Sequence, residues 1–99
     1  MLRKLSKLME RMRKSHDDRD YNDCILAAKS IIENDRNSQI FYQKSQSYIC
    51  SCNSKAKNTK EAIESCSELL KSNPNDAETL YNRAQAYIIE ENLDDGEYF

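Results

Sequence analysis

Two short segments of the sequence repeat one another and fix the period of the chain. Residues 41–48, FYQKSQSY, and residues 80–87, LYNRAQAY, both read large apolar, Tyr, amide, cation, small, Gln, small, Tyr, and they lie 39 residues apart. The segments before them also correspond, because apolar or small residues at 25, 28, 31 and 32 recur 38 residues later. A repeat of this length predicts stacked helical hairpins, each too small to bury its own apolar face alone.

The clearest copy of the repeated unit spans residues 59–87 and predicts two helices joined by a tight turn. Apolar residues spaced three and four apart give each helix one stripe that is expected to be buried. The first stripe is Ala62, Ile63, Cys66, Leu69 and Leu70, and the second is Leu80, Ala84, Tyr87 and Ile88. Pro74 cannot continue the first helix, and Asn75 is expected to cap the second, with Glu78 in capping-box position.

Three more helices are expected before this hairpin, at about 2–16, 21–34 and 38–52. The segment 34–37 is expected to break the second of them. The predicted inward-facing residues are Leu2, Leu5, Leu8, Met9 and Met12 in the first helix, and Cys24, Ile25, Ala28, Ile31 and Ile32 in the second. A polar loop at 53–58 would account for a period longer than the 34 residues of a tetratricopeptide repeat (TPR).

These patterns predict the fold class as all-α, a TPR-like helical-hairpin solenoid of about two and a half repeats, with five helices and a partial sixth. We expect a single domain with repeats at about 2–36, 37–74 and 75–99. Asn92 is predicted to be a turn, after which 93–99 would begin a short sixth helix. Because an array needs a complete last helix to cover its end, this predicts a piece of a longer array or a truncated product.

Composition excludes several other classes. A single Gly and a single Pro in 99 residues argue against an all-β fold. No apolar run reaches the roughly 20 residues of a membrane span, so membrane insertion is not expected, and the N-terminal segment lacks the continuous apolar core of a secretory signal. The net charge of −2 gives no electrostatic reason to expect a nucleic-acid partner. We interpret the basic face of the first helix as solvated surface, since acidic residues follow it.

The four cysteines leave two interpretations open. Cys50 and Cys52 form a CxC pair and His16 is distant, so neither a zinc site nor any other cofactor is expected. Either the thiols are buried in a cytosolic protein, or at least one disulfide forms in an oxidising compartment. Spacing alone does not decide whether Cys50 or Cys52 would pair with Cys66. Cys24 is expected to be plain core at a close helix crossing.

The segment 47–95 resembles an ER-luminal co-chaperone family of DnaJ subfamily C, which joins TPR repeats to a C-terminal J domain. The family also includes the cellular inhibitor of the interferon-induced protein kinase. The matching features are Ile-Cys-x-Cys at 49–52 and the polar stretch after it, Glu-Ala-Ile-x-x-Cys-Ser-Glu at 61–68, Asn-Pro-Asn at 73–75, and Arg-Ala-x-Ala-Tyr-x-Ile-Glu-Glu at 83–91. The sequence departs from the TPR pattern in lacking Trp and in having Gly96 where a small Ala would stand.

This resemblance implies a Cys50–Cys66 disulfide, a place in the ER lumen, and a protein-interaction module that binds misfolded clients or a luminal chaperone. It further implies a role in the unfolded-protein response and inhibition of kinases that phosphorylate a translation initiation factor. The sequence shows no J domain, through which an ER heat-shock chaperone would be engaged, and His16-Asp17-Asp18 is not a substitute for its His-Pro-Asp tripeptide. The alternative is a generic cytosolic TPR scaffold that binds a partner peptide.

A partner-binding groove is expected on the first helix of each repeat. Its candidate residues are Tyr42, Gln46 and Ile49 in one repeat and Tyr81, Gln85 and Ile88 in the next, and packing between repeats is an equal alternative for them. Tyr and Gln stand where other TPR domains place Lys and Asn to grip a terminal carboxylate, so no carboxylate clamp is expected. No catalytic constellation is evident, and we predict that the chain is not an enzyme.

Overall fold

The computed structural model describes residues 2–34 and 39–96, and it is helical throughout apart from short turns. Its helices are α1 (Leu2–Asp17), α2 (Tyr21–Asn34), α3 (Gln39–Lys55), α4 (Thr59–Ser72) and α5 (Ala77–Gly96). The all-α class and the five predicted helices are therefore confirmed. Most of the predicted break at 34–37, and Ser38 at the start of the third predicted helix, lie outside the described residues.

The helices stack in a line. Each helix packs against the next, and α3 also packs against α5, which gives an elongated body of 52 × 27 × 19 Å. The main buried apolar cluster joins α1, α2 and α3 and consists of Leu5, Met12, Cys24, Ile25, Ala27, Ala28, Ile31, Ile49 and Cys52. Of the predicted stripe of α4, Ala62, Cys66, Leu69 and Leu70 are buried, and Ile63 is half-buried. Spacing of three and four residues thus located the buried faces of α1, α2 and α4, although the side chain of Leu2 is not among those described.

The turn inside each of the first two hairpins has the same backbone geometry. Arg19 after α1 and Lys57 after α3 both have positive φ angles, of 63° and 66°. The closing hydrogen bonds run from Asp20 N to Ser15 O (2.8 Å) and Arg19 N to His16 O (3.2 Å) at the first turn, and from Asn58 N to Asn53 O (2.9 Å) and Lys57 N to Ser54 O (3.2 Å) at the second. Each set is a Schellman motif, in which one left-handed residue ends the helix. Since Arg19 and Lys57 lie 38 residues apart, the three-dimensional structure repeats at the period of the sequence.

The loop predicted at 53–58 is shorter in the structure, because α3 continues to Lys55. Asn53 and Ser54 are buried rather than in a loop. The Asn58 side chain donates to Asn53 Oδ1 at 3.1 Å, and the Ser54 hydroxyl donates to the backbone oxygen of Asn82 in α5 at 2.9 Å. The additional residues of this repeat therefore lengthen a helix, which thereby reaches the following repeat.

Two predicted features of the last helix are wrong. The residue that caps α5 is Asp76 and not Asn75, since a carboxylate oxygen of Asp76 accepts a hydrogen bond from the backbone N–H of Thr79 at 3.3 Å. The predicted turn at Asn92 is absent, because α5 continues through it to Gly96. Asn is only a weak helix former and does not stop a helix as Pro does. The end of the predicted sixth helix, 97–99, lies outside the described residues.

The apolar stripe predicted to be buried on α5 faces solvent instead. Its four members, Leu80, Ala84, Tyr87 and Ile88, are all exposed, whereas Thr79, Asn82 and Ala86 on the opposite side are buried. Helices α3 and α4 both pack on α5, and the Thr59 hydroxyl at the start of α4 donates to a carboxylate oxygen of Glu90. Hydrogen bonds through small polar residues therefore orient α5, and its apolar face points away from the body.

Candidate functional site

Two disulfides join α3 to both of its neighbouring helices. Cys50 pairs with Cys66 of α4, with Cα atoms 4.8 Å apart, and Cys52 pairs with Cys24 of α2, with Cα atoms 6.5 Å apart. The prediction that Cys24 is plain core is therefore wrong. Residues two apart on a helix point roughly 200° from one another, so the CxC pair directs its sulfurs to opposite sides. That geometry was a signal in the sequence that could have indicated two bridges.

Both disulfides are structural rather than reactive. All four cysteines are fully buried, and none of them is free. Thiol–disulfide exchange needs access of an attacking thiolate to a sulfur atom, which burial prevents. The bonds therefore join α2, α3 and α4 covalently, and α5 packs on α3 and α4.

The predicted groove residues keep the same internal contact in both repeats. Gln46 Nε2 lies 3.1 Å from Tyr42 Oη, and Gln85 Nε2 lies 3.0 Å from Tyr81 Oη. In each pair the Gln amide donates to the Tyr oxygen one helical turn earlier. The sequence repeat is therefore also a repeat of side-chain geometry on α3 and α5.

The isoleucines of the two repeats differ sharply in burial. Ile49 is only 7% exposed and belongs to the main core, whereas Ile88 is 53% exposed. Tyr81 is also open to solvent, at 63% exposure, while Tyr42 is half-buried. Of the six predicted groove residues, Tyr81 and Ile88 on α5 therefore present the most exposed apolar side chains.

Two of the predicted groove residues of α3, the half-buried Gln46 and the buried Ile49, border a small cavity. Gln46 and Ile49 line a space of about 330 Å³ together with residues of α2 and α4. Its other lining residues are Lys29, Asn53, Glu61, Glu64, Ser65 and Glu68. Three carboxylates on the α4 side make this cavity electronegative, so it does not favour an anionic group.

A larger cavity lies on the opposite side of α3 and was not predicted. It has a volume of about 470 Å³ and is lined by His16, Ile40, Gln43, Lys44, Ser47, Tyr48, Ser51, Leu69, Asn73, Asp76 and Glu78. The Lys44 ammonium lies on the α3 side, and the carboxylates of Asp76 and Glu78 lie at the start of α5. These residues come from four helices far apart in sequence, so no local spacing pattern could have grouped them.

The chain resembles curated proteins named DnaJ homolog subfamily C member 3. It is 34% identical to the Homo sapiens and Bos taurus proteins over 94 residues, which are 95% of this chain and 19% of each relative. It is 35% identical to the Dictyostelium discoideum homologue over 71 residues, which are 72% of this chain and 14% of that protein. It also superposes on the crystal structure of the P58(IPK) TPR domain with a TM-score of 0.86 and 35% identity, over 90% of this chain and 25% of that one. This chain has the fold of a tetratricopeptide-repeat domain. No protein-family model matches it.

These similarities confirm the family resemblance that the Ile-Cys-x-Cys segment and the following motifs indicated. The TPR chain spans about a fifth of the length of the curated relatives it matches, 19% in the human case. A TPR fold and its likeness to co-chaperones indicate a protein-interaction module.

Beside the larger cavity, the side chains of Ser51, His16 and Asp17 follow one another as in a Ser-His-Asp hydrolytic triad. His16 Nε2 lies 3.1 Å from Ser51 Oγ, and His16 Nδ1 lies 3.6 Å from a carboxylate oxygen of Asp17. The Lys55 ammonium donates to Ser51 Oγ at 2.9 Å, and Ser51 is only 3% exposed. A buried hydroxyl that already accepts from an ammonium is not presented to a substrate, so this cluster joins α1 to α3 rather than activating a nucleophile.

The same cluster is packed by an aromatic ring. Tyr48 meets His16 edge to face, with ring centroids 5.4 Å apart, and burial raises the pKa of the Tyr48 hydroxyl above its usual range. Within residues 2–34 and 39–96, no helix combines the length and the apolar character needed to cross a bilayer. The described side chains also contain no group of three His, Cys, Asp or Glu placed to bind a metal ion.

Proposed function

We propose that this chain is the protein-interaction module of an ER co-chaperone, which binds misfolded clients or a luminal chaperone. The observation that carries the proposal is the similarity to DnaJ homolog subfamily C member 3 along 95% of the chain. Action in the unfolded-protein response and inhibition of translation-factor kinases belong to the same proposal, through the P58(IPK) TPR domain that the chain resembles. The ER heat-shock chaperone would be reached through a J domain, which the 99 residues do not contain.

The proposed client surface is the accessible part of the predicted groove, Tyr42 and Gln46 on α3 with Tyr81, Gln85 and Ile88 on α5, whereas Ile49 of the predicted set lies in the core. Tyr81 and Ile88 supply the exposed apolar area, and an unfolded client offers the apolar side chains that would cover it. The Gln85 amide holds the Tyr81 hydroxyl, which fixes the ring before a client arrives. Such preorganisation reduces the entropy lost on binding.

The proposed compartment is the ER lumen, and the two disulfides support it. Disulfides persist in oxidising compartments and are reduced in the cytosol. The alternative is a cytosolic TPR scaffold that binds a partner peptide, in which the four cysteines would be thiols. Peptide mapping of the protein from its native source without reductant separates the two, since only the first retains disulfide-linked peptides.

Client binding can be tested with a permanently unfolded, carboxymethylated protein carrying a fluorescent label. We expect the anisotropy to rise with the wild-type chain, and the affinity to fall about tenfold in the Tyr81→Ala/Ile88→Ala variant, because two partly covered side chains contribute on the order of 1.4 kcal/mol. The matched control is Leu26→Ala, which removes an apolar side chain that is 58% exposed on α2. Equal loss in both variants would show non-specific adhesion, and no binding by the wild type would exclude the client role.

A further inference from the structure

The two disulfides fix the walls of the cavity of about 330 Å³. Its lining residues come from α2, α3 and α4, and α3 packs against both of the other two helices. Cys52 bonds α3 to α2, and Cys50 bonds α3 to α4. The described residues that line the cavity include none from α1 or α5. The three middle helices therefore hold this space in one shape before any ligand arrives.

A buried amide side chain in the cavity uses only its oxygen. Asn53 is 3% exposed and is one of the lining residues. Its Oδ1 accepts a hydrogen bond from the Asn58 side chain at 3.1 Å, whereas its Nδ2 donates to no acceptor among the described residues. Because a buried donor without an acceptor costs free energy, this amide group favours a ligand that brings an acceptor.

The α4 wall of the cavity supplies negative charge. Glu61 and Glu64 lie three residues apart and therefore share a face of the helix, and neither makes an ion pair among the described residues. The third carboxylate, that of Glu68, is paired with Lys71 at 3.0 Å. Three carboxylates and the single ammonium of Lys29 give the lining a net charge of −2. A cation is therefore favoured here.

The remaining lining groups suit a long side chain. Gln46 uses its Nε2 on the Tyr42 hydroxyl, which leaves its Oε1 as a further acceptor. Ile49 offers apolar surface on which the methylene groups of a long cationic side chain can lie. A volume of about 330 Å³ holds one extended side chain rather than a folded element.

We propose that this cavity binds an arginine residue of an extended polypeptide segment. The guanidinium would donate to the carboxylates of Glu61 and Glu64, and the carbonyl oxygen of the bound segment would accept from Asn53 Nδ2. Arginine in a polypeptide combines a fork of donors with a neighbouring carbonyl acceptor, which matches both sets of unused groups. A polyamine would neutralise the carboxylates but leave the Asn53 donor unpaired.

This inference rests on the proposed client role, because an unfolded client supplies extended segments that contain arginine. Gln46 belongs both to the cavity and to the proposed client surface, so the two sites are continuous on α3. One arginine alone should bind weakly, with a dissociation constant on the order of 1 mM. In a client, the contact adds to binding elsewhere on the chain through effective concentration.

Nitrogen-15 NMR of the full 99-residue chain tests the proposal. The probe is acetyl-Gly-Gly-Arg-Gly-Gly-amide, and the same peptide with citrulline is its neutral isostere. We expect the arginine peptide to shift the side-chain amide resonance of Asn53, and citrulline to bind at least about tenfold more weakly. The side chain of Asn82 lies outside the cavity and should not respond. No shift of Asn53 at about 10 mM peptide, or equal shifts with both peptides, would overturn the proposal.

Matched variants test the two halves of the contact. Glu61→Gln/Glu64→Gln changes two exposed side chains and should weaken the arginine peptide about tenfold, whereas Glu10→Gln/Glu33→Gln removes the same charge outside the cavity and should not. Butylguanidinium keeps the cation without a carbonyl and should bind about fivefold more weakly than the peptide, since the hydrogen bond from Asn53 is lost. Equal weakening by both double variants, or equal affinity for butylguanidinium and the peptide, would refute the assignment.

The outcomes separate this site from the client proposal. Binding of the arginine peptide by a chain that ignores the labelled unfolded protein leaves the inference standing and removes the proposed function. If the chain binds the unfolded protein but shows no response to the arginine peptide, the client role stands and the arginine site is wrong.

Discussion

Removal of the Cys24–Cys52 disulfide should cost the fold a large part of its stability. The bond closes a separation of 28 residues, for which the chain-entropy relation gives about 3.5 kcal/mol at 25 °C. The Cys50–Cys66 bond closes a separation of 16 residues and gives about 3 kcal/mol by the same relation. Small domains are stable by about 5–15 kcal/mol in total. Cys24→Ala/Cys52→Ala should therefore still fold, but with a greatly reduced margin.

Urea unfolding followed by circular dichroism measures this loss. With a slope of about 2 kcal/mol per molar urea, the midpoint of Cys24→Ala/Cys52→Ala should fall by roughly 1.5–2 M. The slope should also rise, because the unfolded chain without the bond exposes more surface. Cys50→Ala/Cys66→Ala is the matched comparison and should fall slightly less. An oxidised Cys24→Ala/Cys52→Ala variant with the wild-type midpoint would refute the reasoning.

Tryptic mapping without reductant tests the pairing itself. Trypsin releases Cys24 on peptide 20–29, Cys50 and Cys52 together on peptide 45–55, and Cys66 on peptide 61–71. Two disulfides as observed would join all three peptides into one species. If only Cys50–Cys66 formed, peptide 20–29 would be released with a free thiol, and the structure would be wrong at Cys24.

Three further substitutions test local features of the fold. Lys57→Gly should raise the free energy of unfolding by about 0.5–1 kcal/mol in the same urea assay. Lys57 has a φ of 66°, and glycine adopts this left-handed conformation without the steric cost that a Cβ atom imposes. An unchanged midpoint would count against the Schellman geometry. Ser45→Ala should raise the free energy of unfolding by about 1 kcal/mol, since Ser45 Oγ is buried without a hydrogen-bond partner among the described residues. A lower free energy of unfolding would show that the hydroxyl has a partner. Arg11 and then Ser15 hydrogen-bond Asp23 and lower its pKa from 3.8 to about 2, so the stability it contributes is present above pH 4 and lost as the pH falls toward 2. Thermal melts of Asp23→Asn should therefore lie below the wild type at pH 6 and converge with it near pH 2, and a constant difference would contradict the linkage.

The sequence predicted the elements of the fold better than their ends. Apolar spacing found every helix, since side chains three and four residues apart share a face whatever lies around them. The ends depended on contacts between distant residues. Ser54 extends α3 because its hydroxyl reaches the backbone of Asn82, and no local pattern contains that pairing.

The cysteines show the same division between local and distant information. The family resemblance implied Cys50–Cys66, and the structure contains that bond. Cys24 was assigned to the core because its spacing within α2 is that of a buried residue, and it is indeed fully buried. Its bond to Cys52 depends on how α2 packs beside α3, which the spacing within either helix does not contain.

The predicted apolar stripe of α5, Leu80, Ala84, Tyr87 and Ile88, is where the sequence-based prediction failed, because all four residues are exposed. An apolar stripe predicts a buried face only if the chain brings another surface to that side of the helix. On α5, the side facing α3 and α4 is filled by Thr79, Asn82 and Ala86, which are small enough for close approach, and the backbone oxygen of Asn82 accepts a hydrogen bond from Ser54 of α3. The apolar side is left to solvent, although Leu80, Tyr87 and Ile88 repeat a set that is covered on α3. Spacing within α5 therefore determines which side of the helix is apolar, whereas the packing of α3 and α4 determines which side is buried.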